Sequence, residues 1–357
     1  MTLLKHLALA VVAAVILVIL SYKLGSFRDY QLAEVAAYVT AVAGLTVLIG
    51  LSGQISIGHG AFMAIGAFAA ALLVMHLNWP VELVILAAAA AAAAAGGIMG
   101  IAAARLRGPY LAGATLMLAV ALPEVADRYQ GVFGGDQGLN INVTVPGFLG
   151  PTFPLTQWLA WLCCAAALIT LVLLANLNRS RVGRSWRAVR DDEIAASLAG
   201  LNVARLQILA FVVSSACAGV GGALLAIVTA NVAPGAFTLT LSIGLLTAAV
   251  LGGLGSLAGA VWGSLLFVLV PGFLTDFSNS HGLSSAAASS VPIAAYGLVL
   301  ILVMLIFPTG IQGAIRRLLG TAAPAAGAPL TVFRRQASAR DTKERKTPRE
   351  KASLEKK

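Results

Sequence analysis

The chain has 357 residues, of which 59% are hydrophobic and 11% charged, and its mean hydropathy is +0.91. No soluble core of this size can bury so much apolar surface, so the composition predicts an integral membrane protein and excludes a soluble one. The net charge of +10 does not indicate a nucleic-acid partner, because the basic residues cluster in 334–357 and beside apolar runs, as membrane topology requires.

Ten apolar runs follow one another along the chain, and a bilayer core needs about 20 apolar residues per helix. The first run resembles a signal peptide, but no small-x-small cleavage site follows it, so an uncleaved span is expected. Because no alternating pattern of barrel strands occurs, the predicted fold class is all-α and polytopic, with the eighth span short. The runs are 4–22, 31–50, 57–77, 81–104, 110–127, 156–177, 206–230, 238–252, 256–274 and 291–308.

Lys and Arg near the ends of the runs predict the orientation. If Lys5 is cytoplasmic, ten crossings leave most basic residues inside and make both termini cytoplasmic. The longest external loop is then 128–155, whose Gly and Pro residues predict irregular backbone. The basic residues expected inside are Arg105, Arg107, the 179–205 cluster and the 316–357 tail.

Glycine spacing predicts close helix packing in two places. Gly255, Gly259 and Gly263 are four residues apart, as are Gly96 and Gly100. Each set is expected to line one helix face and to let a neighbouring backbone approach closely.

Two glycine-rich stretches resemble each other weakly. LIGLSGQISIG (48–58) and VLGGLGSLAG (250–259) share a Gly-x-x-Gly pattern followed by a further Gly. Both stretches start a span from the predicted cytoplasmic side, so they are candidates for the broken or kinked helices found beside transport pathways. Coincidence in a chain with 37 glycines is the alternative.

Polar residues enter the third apolar run. Gln54, Ser56 and His59 stand in LSGQISIGHGAF, and polar side chains inside a membrane generally face the bundle interior or a cavity. His59 taken alone is more often a hydrogen-bonded packing residue than a ligand, so both readings of this motif stay open.

Charge is concentrated between residues 179 and 205, the segment called the basic loop below. The acidic run 191–193 suits the positive end of a helix dipole, and Ile194 and Leu198 follow at helical spacing. Gly200 supplies a stop, which predicts a helix of about two turns that needs another surface to pack on. Either the loop is a solvated segment that obeys the positive-inside rule, or it is a mechanical part that meets another protein.

Several chemistries are missing from the sequence. No GxxxxGK[ST] pattern occurs, so the chain has no ATP site of its own. Cys163, Cys164 and Cys217 have neither disulfide nor metal-ligand spacing, and no catalytic constellation is present, so an enzyme is not expected. The acidic residues lie near span ends or in loops, which disfavours an ion-driven carrier without excluding it.

At these residues the chain resembles a known family, the LivM-type permease subunits of branched-chain amino-acid ABC importers. The resemblance runs in order over roughly residues 30 to 317. It is carried by GLTVLIGLSGQISIGHGAFMAIGAFAAALL (44–73), RLRGPYLAGATLMLA (105–119), FGGDQGL (133–139), GRSWRAVRDDEIAASLAGLNVARLQILAFVVSSACAGVGGALLA (183–226), VLGGLGSLAGAVWG (250–263) and YGLVLILVMLIFPTGI (296–311).

The resemblance implies an ABC importer permease fold in a bacterial inner membrane. Its implied partners are two cytoplasmic ATPases, which bind ATP and Mg²⁺, a second related permease, an external solute-binding protein and membrane lipid. This chain itself is expected to hold no cofactor and no metal.

The resemblance also implies three sets of site residues. The residues expected to couple to the ATPase are Arg184, Arg187, Arg190, Asp191, Asp192, Glu193, Ala199 and Gly200. The residues expected beside the translocation pathway are Gly53, Gln54, Ser56, Gly58, His59, Gly252, Gly253 and Gly255. The residues of the external loop expected to meet substrate or binding protein, or else to form a simple capped turn, are Gly135, Asp136, Gln137 and Gly138.

The implied cargo is a branched-chain or other apolar amino acid. Urea, short amides or sugars carried by the same architecture are an alternative, and an ATP-independent carrier or channel is another. Residues 1–319 are expected to form the permease domain, whereas the composition of 320–357 predicts a disordered basic tail in the cytoplasm.

Overall fold

A computed structural model describes residues 2–23, 25–106, 108–147, 150, 153–280, 297–298, 300–307 and 309–318. Residues up to Gln312 form one compact unit, and of the second unit, which begins at Gly313, the described part is 313–318. The predicted tail 320–357 and much of the tenth apolar run, 291–296 included, lie outside the described residues.

The described chain is almost entirely helical, which confirms the predicted all-α class. Two short 3-10 helices, Gly135–Gln137 and Pro234–Phe237, lie in the connections. The helices are α1 (Thr2–Ser21), α2 (Ser26–Ser52), α3 (His59–Leu77), α4 (Val81–Ala103), α5 (Pro109–Arg128), α6 (Gln130–Phe133), α7 (Leu155–Arg179), α8 (Arg181–Asp191), α9 (Glu193–Leu198), α10 (Val203–Thr229), α11 (Leu239–Gly252), α12 (Leu257–Ser280), α13 (300–306) and α14 (Ile311–Leu318).

Nine helical segments within the described residues are long and apolar enough to cross a membrane, and α1 adds a shorter apolar stretch, Ala10–Ser21. Eight of these segments coincide with the second to ninth apolar runs of the sequence, and the last, Leu300–Leu318, overlaps only the end of the predicted run 291–308. A polytopic membrane protein is therefore confirmed, and the short eighth span corresponds to α11 together with the 3-10 turn that precedes it.

The centre of the bundle is built on α2 and α10. Helix α10 packs against α4, α2 and α3, and α2 also packs against α7 and α12. Gly219 and Gly222 of α10 lie so close to Ala88 of α4 and to the Met63 backbone of α3 that any side chain there would overlap them. Small residues replace the bulky layers of a soluble core because close backbone approach is what holds helices together in lipid.

The predicted glycine faces are largely confirmed. Gly96 of α4 faces Ser215 of α10, and a Cβ there would overlap that side chain. Gly259 and Gly263 of α12 face α11 in the same way. The expectation that Gly255 shares this face was wrong, because its φ of +82° puts it in a left-handed turn before α12 begins.

Among the described residues, a pair of two-residue strands joins the 128–155 loop to the segment that follows α10. The pair lies at the C-terminal end of α10, whereas the basic loop lies at its N-terminal end. β1 (Leu139–Asn140) pairs antiparallel with β2 (Asn231–Val232), with Leu139 opposite Val232. The 128–155 loop is therefore only partly irregular, because this strand pair and the two short helical turns before it order its first half.

Candidate functional site

The chain breaks between α2 and α3 at residues 53–58, called the α2–α3 break below. Gly53 adopts a φ of +73°, and its N–H donates to the carbonyl of Ile49, which ends α2. At the other end of the break, the N–H of Ile57 donates to Oγ1 of Thr115 at 3.0 Å. Gly58 lies against the backbone of Thr115, where a side chain would overlap the carbonyl. The break is thus packed into the bundle against α5 instead of forming a free loop.

The polar side chains of this break are buried. Gln54 is 5% exposed, and Ser56 and His59 are fully buried. Nε2 of His59 lies 3.1 Å from the carbonyl of Ala41, which only accepts, so Nε2 carries the proton and Nδ1 is left as an acceptor.

The remaining polar atoms of these side chains are unpaired within the described part of the chain. They are the Gln54 amide oxygen and nitrogen, Ser56 Oγ and His59 Nδ1. A buried polar group without a partner costs about 1–3 kcal/mol. The break therefore concentrates polar groups that would gain from meeting water or a polar solute.

The turn between α11 and α12, residues 253–256, meets the α2–α3 break. Gly50, in the last turn of α2, lies against the backbone of Gly255 so closely that a side chain on Gly50 would overlap it. Gly252 packs against Gly259 in the same manner, and Gly253, with a φ of +112°, packs beside Gly310. The two glycine-rich stretches that resemble each other in sequence are thus both helix breaks, and they touch.

The basic loop holds two helices where one was expected. Helix α8, which the sequence reading missed, begins at the cap of Ser180, whose Oγ accepts from the N–H of Gly183 at 3.4 Å. Helix α9 begins at Asp192, whose Oδ1 accepts from the N–H groups of Ile194 and Ala195 at 2.9 and 3.0 Å. The predicted acidic start of α9 is therefore a side-chain N-cap.

Gly200 ends α9 with a φ of +84°. The N–H of Gly200 donates to Ser197 and the N–H of Leu201 donates to Ala196, the bond pattern of a Schellman motif. Ala199 lies just before this turn and is exposed. The predicted glycine stop is present as a backbone geometry that favours glycine.

Trp186 is the residue of the loop that the sequence reading missed. Its side chain is completely buried, and its indole N–H donates to the carbonyl of Leu206 at 2.8 Å. A large aromatic residue in an otherwise basic run, with Val182 and Val189 at helical spacing, was the available signal. Trp186 fastens α8 to the beginning of α10.

The arginines of the loop do not project as a uniform charged surface. Arg184 donates to the carbonyl of Arg179 and Arg187 donates to that of Asn178, both at the end of α7, so both brace the α7–α8 corner. Arg190 instead reaches α2, where Nη1 lies 2.6 Å from the carbonyl of Gly50.

The acidic residues of the loop make separate contacts. Asp191 accepts from Arg190 at 2.9 Å, and Glu193 accepts from the side-chain amide of Gln207 of α10 at 3.0 Å. The loop is consequently attached to α10 through Trp186 and Glu193 and to the α2–α3 break through Arg190.

The outer face of α9 is apolar and exposed. Ile194 is 72% exposed and Leu198 is 84% exposed, although Ala196 on the inner face is buried. Apolar side chains presented on a rigid, capped helix are typical of a surface that meets another protein.

The 128–155 loop lies at the opposite end of α10, which spans 27 residues, or about 40 Å at 1.5 Å per residue. Gly135 and Gly138 have φ values of +60° and +71°, and Gly138 packs against the backbone of Val232. The carbonyl of Gln137 accepts from the side chain of Asn231 at 3.0 Å, whereas the side chain of Asp136 is exposed. A depression of about 530 Å³, lined by residues 127–132, lies before this turn in the same loop.

The described residues contain no group of three or more His, Cys, Asp or Glu side chains that could hold a metal ion. The contacts found in the three regions are structural hydrogen bonds and backbone packing.

Comparison with protein families matches residues 27–308 to the family described as branched-chain amino acid transport system / permease component. The permease LivM of Escherichia coli is 30% identical over 68% of this chain, and the aligned region spans 62% of that protein's length. BraD of Pseudomonas aeruginosa, a branched-chain amino acid permease, is 30% identical over 78% of this chain and 92% of its own.

A ribose import permease, RbsC of Escherichia coli, is 28% identical over 68% of this chain and 74% of its own length. No solved structure gives a significant match. The family match covers most of the chain and agrees with the helical, multi-pass fold. The chain belongs to the permease component family of branched-chain amino acid transport systems.

Proposed function

We propose that this chain forms the translocation pathway of an ATP-driven importer for branched-chain amino acids. The observation that carries the proposal is α9, a capped helix that exposes Ile194 and Leu198 while the basic loop is fastened to the bundle. A membrane protein without an ATP-binding sequence can use ATP only through a partner, and a rigid exposed helix provides a place for that partner to act.

The proposed assembly contains two ATPase subunits beside the basic loop, a second related permease and an external solute-binding protein. The basic residues of 179–205 support a cytoplasmic position for this loop and for both termini. The 128–155 loop then faces outward, and the exposed Asp136 and the neighbouring depression are the proposed contact for the binding protein.

The proposed pathway runs beside the two helix breaks. The unpaired polar groups of Gln54, Ser56 and His59 support this position. The ammonium and carboxylate groups of an amino acid need polar partners while the amino acid crosses the membrane. The backbones of Gly50 and Gly255 are in direct contact because neither residue has a side chain. We therefore expect a movement of one break to be passed on to the other.

The proposed cargo follows the functions of the related permeases. LivM and BraD are permeases of high-affinity branched-chain amino acid transport systems. The similarity to a ribose import permease supports a sugar as a second candidate cargo for the same architecture.

The decisive experiment is reconstitution of the chain with its neighbouring subunits in vesicles, followed by measurement of leucine, urea and ribose uptake with and without ATP. We expect uptake of leucine that requires ATP, and unlabelled isoleucine should compete with it. A vesicle series without the ATPase subunits is the control. Uptake in those control vesicles would contradict the coupled mechanism, and ATP-driven uptake of ribose or urea alone would correct the cargo.

A further inference from the structure

Arg190 stands apart from the other arginines of the basic loop because it crosses to a different part of the fold. It is separated from Gly50 by 140 residues in sequence, yet its Nη1 lies 2.6 Å from the Gly50 carbonyl. The aliphatic stem of Arg190 lies over Gly53, where a Cβ would overlap it. Arg190 therefore contacts α2 at Gly50, in its last turn, and at Gly53, its C-cap.

The carbonyl groups at the C-terminal end of α2 need hydrogen-bond donors from outside the helix. The last four carbonyls of a helix have no partner within the helix itself, and a cation there is favourable because of the helix dipole. The N–H groups of Gly53 and Gln54 bond to Ile49 and Leu48. The Gly50 carbonyl is instead satisfied by Arg190.

Asp191 holds the guanidinium of Arg190 in the orientation that points Nη1 at the Gly50 carbonyl. Nε and Nη2 of the guanidinium donate to Oδ1 of Asp191 at 3.1 and 2.9 Å. Since both side chains of this ion pair are substantially exposed, the pair contributes little to stability by itself. Its effect is to aim Nη1 of Arg190 at the Gly50 carbonyl.

The α2–α3 break, which follows this contact in the chain, contains groups that exposure to water would stabilise. Gln54, Ser56 and His59 hold buried polar atoms without a partner among the described residues, so exposure to water favours them. A contact that keeps the end of α2 in place keeps these groups buried. The Gly50 carbonyl lies directly before them in the chain and beside Gly255, so it is a suitable point for such a contact.

We propose that Arg190 is a positioning residue that holds the α2–α3 break closed through the Gly50 carbonyl, and that movement of the basic loop releases the break. This inference rests on the proposed function, in which the ATPase subunits move the basic loop. It reassigns Arg190 from the surface that meets the ATPase to an internal link. Energy delivered at α9 then reaches the polar break through one hydrogen bond and the adjoining contact of Gly50 with Gly255.

The test uses a reporter cysteine at the break in the assembled importer. In a chain whose Cys163, Cys164 and Cys217 are replaced by Ala, Ser56→Cys is labelled with a charged, water-soluble thiol reagent, first without ATP. We expect Arg190→Ala to raise the labelling rate about tenfold, as loss of a charge-assisted hydrogen bond predicts. Arg190→Lys should raise it less, because an ammonium group can still donate to the carbonyl.

Two controls separate a specific opening from general loosening. Arg205→Ala removes a guanidinium from the same loop away from Gly50 and should leave the labelling rate within about twofold of the parent. Ser214→Cys, at a buried position of α10 where Ser214 bonds to the Gly44 carbonyl, should stay unreactive in Arg190→Ala. Equal Ser56→Cys labelling in Arg190→Ala and Arg205→Ala, or an equal rise at Ser214→Cys, would overturn the proposal.

Release by the loop is tested by adding ATP to the same preparation. Labelling of Ser56→Cys in the parent should rise during ATP turnover, and Arg190→Ala should label fast with or without ATP. If ATP leaves the parent unchanged, the release step is wrong. Failure of the proposed function is seen separately, as uptake that needs no ATPase, because labelling without ATP does not depend on coupling.

Discussion

Gly200 ends α9 in the left-handed backbone region, which favours glycine. A short helical pattern followed by glycine predicts a left-handed stop, and the φ of +84° at Gly200 is that stop. The signal was readable because a helix end depends on neighbours within a few residues. Trp186 could not be assigned in this way, since its partner, the carbonyl of Leu206, is supplied by another helix.

We expect Gly200→Val to weaken ATP-dependent uptake while membrane insertion stays normal. A β-branched residue in the left-handed region costs on the order of 1–2 kcal/mol and would unravel the end of α9. Gly200→Asn is the matched control, because Asn tolerates this conformation and nothing lies near the position a Cβ would take. Uptake and the inserted amount are measured together; equal uptake by the two variants would argue against a mechanical function of the loop.

At the scale of elements, the spans and the two breaks could be predicted, whereas their contacts could not. Glycine patterns in 48–58 and 250–259 indicated interrupted helices, and both interruptions exist. The sequence did not predict α8, because the many arginines of this segment mask the helical spacing of Val182, Trp186 and Val189 on its inner face. The arginines resemble one charged surface in the sequence, yet Arg184 and Arg187 brace the α7–α8 corner and Arg190 reaches Gly50.

The exposed face of α9 gives an element-scale prediction. The double variant Ile194→Ser with Leu198→Ser should lower the affinity for the ATPase subunits by about 100-fold or more, because burial of each such side chain contributes about 1.5–3 kcal/mol. Stability of the isolated chain should not change, since both side chains are largely exposed. Ala195→Ser, also exposed on α9, is the control. Binding to the ATPase subunits in detergent measures the effect, and unchanged affinity of the double variant would remove α9 as the docking surface.

At the scale of the whole molecule, the family match and the first compact unit both end well before residue 357. The family match ends at residue 308, and the compact helical unit ends at Gln312. The segment 320–357, which lies outside the described residues, has the composition of a charged chain that cannot bury a core.

Removal of residues 320–357 should therefore leave ATP-dependent leucine uptake within about twofold of the full chain. The physical reason is that the spans and the basic loop gain their stability from contacts among themselves. Uptake per inserted molecule is the measurement, and the amount inserted is quantified separately. Loss of uptake with normal insertion would assign the tail a function in transport itself.

Composition and local pattern were sufficient to predict a multi-pass helical membrane protein with its glycine-lined helix faces and a capped helix in the basic loop. Hydropathy, helix caps and glycine stops act over a few turns of chain, so their signals are present in the linear sequence. The meeting of Gly50 with Gly255, the anchor of Trp186 and the reach of Arg190 to α2 were decided only by tertiary structure. These contacts join distant parts of the chain, and they form only when close packing around α2 and α10 brings the helix ends together.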